Sequence, residues 1–148
     1  MGAWPYWYFV PYEGDLREAL DSLRQREFRA GRYNPVVRLL NFSDPDLANQ
    51  APGARHRTIE QAIEDAGADG TRSILDIRHV SAEPGLGAAS PLDPDTIEEL
   101  YGTSQPTRAM VEQNMGFLAE VGRGECVYLV LFHDGKPSEI CFAGYSYD

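Results

Sequence analysis

Cys126–His133 is an almost unbroken run of β-forming side chains that ends at Asp134-Gly135. Asp-Gly is a favoured pair for a two-residue type I′ turn, because both central residues of that turn take positive φ. Ser138–Tyr147 then returns as a second strand. A hairpin is at best marginal alone in water, so the rest of the chain must supply a sheet and a cover for it.

The other end of the chain offers a partner. Residues 4–12, Trp-Pro-Tyr-Trp-Tyr-Phe-Val-Pro-Tyr, read as a strand bounded by Pro5 and Pro11. Trp4, Tyr6, Tyr8 and Tyr12 fall on one face, Trp7 and Phe9 on the other. With both faces apolar, a central or covered strand is expected. The aromatic content also suits a recognition platform if one face were only half covered, but filling a core is the simpler use of it.

Between these strands the pattern turns helical. Asp15 has the character of an N-cap, with Glu18 three residues on; Leu16, Ala19, Leu20, Leu23 and Phe28 form one apolar stripe, and Gly31 is a stop. Val36 to Phe42 suits a short strand, and 43–57 reads as a long surface loop. Thr58 with Gln61 opens a short helix that Gly67 ends. Thr71–Val80 reads as a strand carrying Ile74, Leu75, Ile77 and Val80, followed by a Gly/Pro-rich loop over 81–91. Asp93-Pro94 places a cap and an N1 proline at the start of a helix that Gly102 stops. Thr107 opens a longer helix, with Met110, Val111, Phe117, Leu118 and Val121 inward, ending at Gly122 and Gly124. The sum is one α+β domain over residues 1–148: a mainly antiparallel sheet of about four strands, helices packed on one face, and a C-terminal β-hairpin.

Charge narrows the function. Residues 1–57 hold 8 basic and 7 acidic side chains, whereas 58–148 hold 5 and 16, giving the net −10. Such a field repels nucleic acid, anionic membranes and most phosphorylated metabolites, and attracts basic partners. No apolar run approaches the ~20 residues that span a bilayer, and the N-terminus lacks a basic signal region, so a cytoplasmic location is expected. Of the basic residues 12 are arginine and one, Lys136, is lysine.

Catalytic and metal motifs are weak. Gly85 to Ser90 superficially resembles a dinucleotide fingerprint, but Pro91 intervenes and the next helix opens on Asp93 and Asp95, which would repel a pyrophosphate. His56, His79 and His133 share no short spacing with one another or with Cys126 and Cys141, so neither a metal nor a cofactor is expected. The two cysteines lie on opposite arms of the hairpin, where they could face each other; buried thiols acting as small hydrophobes are the expectation. Asp76 interrupts an apolar strand and requires a partner such as Arg72 or Arg78 if buried. Asp76 and His79 are the only catalytic candidates.

Three stretches resemble a family of small bacterial proteins of about this length: Tyr12-Glu13-Gly14-Asp15-Leu16-Arg17-Glu18-Ala19-Leu20, Arg26–Pro35 and Gly70–Ile77. The likeness implies a bacterial domain that stands alone, and it carries over no functional residues. Two functions then compete. The first is an acidic immunity- or inhibitor-type module that binds a basic protein partner through Asp93, Asp95, Glu98 and Glu99. The second is a small enzyme or small-molecule binder, with Tyr8, Arg32, Tyr33, Asp76 and His79 around a pocket between the aromatic strand and the Gly/Pro-rich loops. An exposed edge on the aromatic strand would also permit a homodimer.

Overall fold

The computed structural model describes residues 3–36 and 52–148. Among the described residues five strands form one mixed sheet: β1 (Pro5–Pro11), β2 (His79–Val80), β3 (Ala88–Pro91), β4 (Cys126–His133) and β5 (Lys136–Tyr145), in the spatial order β1-β5-β4-β3-β2. β1, β5 and β4 run antiparallel, with Tyr8 opposite Phe142 and Leu129 opposite Cys141; β4, β3 and β2 run parallel. The hairpin is as the sequence predicts, with Asp134 at φ 50° and Gly135 at φ 74°. The sheet is therefore mixed and five-stranded rather than mainly antiparallel and four-stranded. The extra strand, β3, lies inside the stretch 81–91 read as loop, where Ala88, Ala89 and Ser90 are buried between β2 and β4.

Side chains alternate across the sheet, and both faces are covered. Tyr6, Tyr8, Val10, Cys126, Ile140 and Phe142 meet Leu20 and Leu23 of α1 (Leu16–Ala30), together with Ile74 and Ile77. Leu129, Leu131, Cys141 and Ala143 meet a second layer. That layer is made by α3 (Pro94–Tyr101), α4 (Arg108–Gln113) and a 3-10 turn over Gly116–Glu120. Helices on one face were expected; the alternation of large apolar residues on β4 and β5 demands a cover on each. α2 (Ile59–Ala66) packs Ala62 and Ile59 beside Phe28, Tyr33 and Leu75, on α1's side.

Among the described residues β1 is an edge strand, not a central one: apolar residues on both faces report cover above and below, not a neighbour on each side. Tyr12 donates its N–H to the Ser138 carbonyl at 3.0 Å, and Ser146 to that of Trp4 at 2.9 Å. The even-numbered residues of this stretch thus pair with β5, and the odd-numbered ones turn N–H and C=O outward. Pro5 and Pro11 are both odd, so their missing N–H groups cost the ladder nothing.

Capping follows the sequence closely. Asp15 accepts from the N–H groups of Arg17 and Glu18, Thr58 from Gln61, Asp93 from Asp95 and Thr107 from Met110. Two elements differ. The helix expected from Thr107 to Gly122 stops at Gln113, because Asn114 is extended (φ −149°) and its Oδ1 accepts the Gly116 N–H at 3.0 Å. A local side-chain bond of this kind competes with helix continuation. The strand expected over Thr71–Val80 survives only as His79–Val80; Ile74–Asp76 is a 3-10 turn. Most of the Val36–Phe42 strand and of the 43–57 loop lies outside the described residues.

Candidate functional site

The four carboxylates expected to bind a partner stand together on α3. Asp93 caps the helix from outside, Pro94 holds N1, and Gly102 ends it in the left-handed conformation. Ile97, Leu100 and Tyr101 turn into the second core layer, which leaves Asp93, Asp95, Glu98 and Glu99 exposed. Tyr101 donates its hydroxyl to the Asn114 carbonyl at 2.6 Å, tying the helix to the turn after α4. Among the described residues no cation forms an ion pair with any of the four. Asp93 and Asp95 favour the positive end of the helix dipole, but Glu98 and Glu99 lie in the last turn, where the dipole opposes them and no basic residue compensates.

The other acidic group does not join this surface. Glu60, Glu64 and Asp65 ride on α2 and Asp69 follows it, on the opposite side of the sheet. Two of these are already paired. Glu60 accepts from Arg78 at 2.9 Å, and Asp65 from His56 at 2.9 Å. The acidic half of the sequence therefore folds into two separate surfaces.

Of the residues proposed around a small-molecule pocket, Tyr8, Arg32, Tyr33 and Asp76 each hold a partner within the protein. Tyr8 is buried and its hydroxyl accepts the Ile74 N–H at 3.4 Å. Arg32 binds Glu27, with Nε 2.9 Å from Oε1 and Nη2 on Oε2; Arg26 adds a contact to Oε2 at 3.1 Å. The Glu27 bond raises the Arg32 pKa. Glu27 is only 1 % exposed. Sequence reasoning missed it, although Glu27 falls four residues after Leu23 on the apolar stripe; that position and the arginines at 26 and 32 were the available signals.

Tyr33 is fully buried and belongs to a chain that the sequence did not reveal. The Arg55 N–H donates to its hydroxyl at 3.2 Å, and the hydroxyl lies 2.7 Å from Nδ1 of His56. His56 Nε2 lies 2.9 Å from Asp65. With the Arg55 donor occupying the oxygen, the hydroxyl proton points to Nδ1 and the imidazole proton to Asp65. The chain clips the segment before α2 to the helix itself. No short spacing marks it, since its members are 23 and 9 residues apart.

Asp76 is 4 % exposed. Neither Arg72 nor Arg78, the partners expected for it, forms an ion pair with it; Arg72 meets Asp148 at 3.9 Å and Arg78 meets Glu60. Its carboxylate instead accepts the Thr71 N–H at 2.9 and 3.1 Å and the Thr71 hydroxyl at 2.8 Å. Burial raises its pKa, opposed by the Thr71 hydrogen bonds and by Arg24. Gly70 allows the close approach: a Cβ there would lie 2.7 Å from Asp76 Oδ2 and 2.8 Å from the Tyr147 ring. His79 projects from β2 into solvent.

Cys126 and Cys141 sit on opposite faces of the sheet, Cys126 under α1 and Cys141 in the second layer, so they do not face each other. Both thiols are free and buried, and burial pushes both pKa values up, that of Cys141 to about 12. Among the described residues no group of three or more His, Cys, Asp or Glu could hold a metal ion, and no helix is long and apolar enough to cross a membrane. In comparisons with known proteins, no family model, no curated protein and no solved structure matches this chain, and the likeness to small bacterial proteins gains no support from them.

Proposed function

We propose that this chain is an acidic, single-domain protein-binding module of immunity or inhibitor type, which docks a basic partner on the exposed face of α3. One observation carries the reading: Asp95, Glu98 and Glu99 stand exposed and without a cation among the described residues, two of them where the helix dipole disfavours them. A helix shaped by stability alone gains from a basic residue in its last turn. A basic partner would supply that charge in trans. The contact would accelerate association and weaken with salt, as expected for exposed charges beyond a Debye length of about 8 Å at physiological ionic strength.

The test uses the full chain as bait in a lysate of the source cells, at low and at high salt, beside the triple variant Asp95→Asn, Glu98→Gln, Glu99→Gln. Asp93 stays, because it caps the helix. The expected result is a basic protein held by the wild type at low salt, released at high salt and missing from the variant. Equal recovery by the variant, a salt-insensitive partner, or no specific capture would each sink the reading.

A further inference from the structure

We propose that the outer edge of β1 is a second docking element, which takes an extended, basic peptide segment as an additional strand. The surface is separate from α3, and its test reads separately.

Among the described residues β1 has no neighbour beyond its outer side. The odd-numbered residues turn their backbone outward there. Pro5 and Pro11 have no N–H, so the edge offers two donors, those of Trp7 and Phe9, about 7 Å apart, with acceptor carbonyls alongside. Unpaired donors and acceptors in register are a template for one more strand. The prolines limit that template to a short central window. Trp7 and Phe9 direct their side chains into the second core layer, and Arg108 lies over the Phe9 ring at 4.3 Å, so the backbone that presents these donors is held in place.

The end of the edge is charged. A cleft of about 240 Å³ opens between Val10 and Pro11 of β1 and the first turns of α1. Glu13, Asp15 and Glu18 line it, and no residue of β5 does, so it opens on the outer side of β1. None of the three forms an ion pair among the described residues. Arg26, the one cation in the cleft among the described residues, turns its Nε to Glu27. A strand laid along Trp7 and Phe9 runs on past Pro11 into these carboxylates. Lysine or arginine at that end of the segment matches them. A second copy of this chain does not, because each copy carries a net charge of −10.

The probe is a pool of heptapeptides with two lysines at one end and mixed Val, Thr, Ile and Tyr elsewhere, set against the same pool with glutamate in place of lysine. Retention on the immobilised full chain is read by mass spectrometry. Amide exchange in the free and bound protein is then read by NMR. The lysine pool is expected to be retained about tenfold or more over the glutamate pool, a difference of about 1.4 kcal/mol. The Trp7 and Phe9 amides should exchange fast in the free protein and slow on binding, while those of Tyr6 and Tyr8 are slow throughout. Glu13→Gln with Glu18→Gln should erase the lysine preference without touching the core. Phe9→Pro should abolish retention by removing an outward donor. Retention of neither pool overturns the proposal, as does a bound peptide that leaves the two amides unchanged. Protection of those amides in the free protein, with a dimer mass by light scattering, would assign the edge to a second copy and also overturn it.

Discussion

The β4–β5 hairpin and the segment Gly70–Ile77 lie in the same structure and are held by different physics. The hairpin is held by burial. Leu129, Leu131, Ile140, Cys141, Phe142 and Ala143 are nearly or fully inaccessible, and the strict alternation sends each to one of two cores. Gly70–Ile77 contains equally buried apolar residues, Ile74, Leu75 and Ile77, yet forms no strand. There Asp76 and Ser73 bind nearby backbone, Asp76 at Thr71 and Ser73 at Leu75, and close a tight turn. Apolar periodicity decides backbone conformation only where no short polar side chain offers the backbone a better bond.

Substitutions at three positions sharpen this contrast. The largest effect is expected in the hairpin. Phe142→Ala should cost about 3–5 kcal/mol, since the ring is fully buried under α1. Urea unfolding measures it, and a loss below about 1 kcal/mol would show that the hairpin does not depend on burial.

Next comes Asp76. Asp76→Ala strands the Thr71 N–H and should cost about 1–3 kcal/mol, whereas Asp76→Asn keeps an acceptor and should cost less. The pH dependence separates the charge from the bonds. Burial raises the folded pKa of Asp76 above its ordinary 3.8, so the native state holds the proton more tightly than the unfolded chain. Stability relative to Asp76→Asn should therefore fall as pH rises from that ordinary value through the raised one, and level off above it. Parallel thermal-melting curves for the two proteins across the acid range would contradict this.

The smallest effect is expected at the hairpin turn. Gly135→Ala places a Cβ at φ 74° in otherwise open space and should cost about 1 kcal/mol. A much larger loss would mean that turn geometry, not burial, holds the hairpin.

Particular residues explain how much was legible in advance. The Asp134-Gly135 turn, the caps at Asp15, Thr58, Asp93 and Thr107, and the terminating glycines were readable because each acts on backbone within four residues of itself. The break at Asn114 was not, since asparagine tolerates both helix and turn and the Gly116 bond decided between them. Of the candidate binding residues, the exposure of the α3 set was legible because a capped amphipathic helix fixes which side chains face out. Tyr8, Arg32 and Tyr33 read as free in sequence and Asp76 as a partner of Arg72 or Arg78, but their partners are Ile74, Glu27, His56 and Thr71. None of these four pairings is made at the sequence level: Ile74 and His56 lie far along the chain, and Thr71, five residues from Asp76, reads as a position of the same strand.

By itself the sequence determined the hairpin, the aromatic strand, the helix boundaries at their caps and the acidic outer face of α3, because local propensity, capping and charge need no distant partner. Only the tertiary structure decided that β1 is an edge, that β3 joins the sheet, that helices cover both faces and that the two cysteines lie apart. It also set the buried Glu27 pairs and the Tyr33–His56–Asp65 chain. These depend on which surfaces meet once apolar area has been withdrawn from water, a choice made by the whole chain rather than by any window of it.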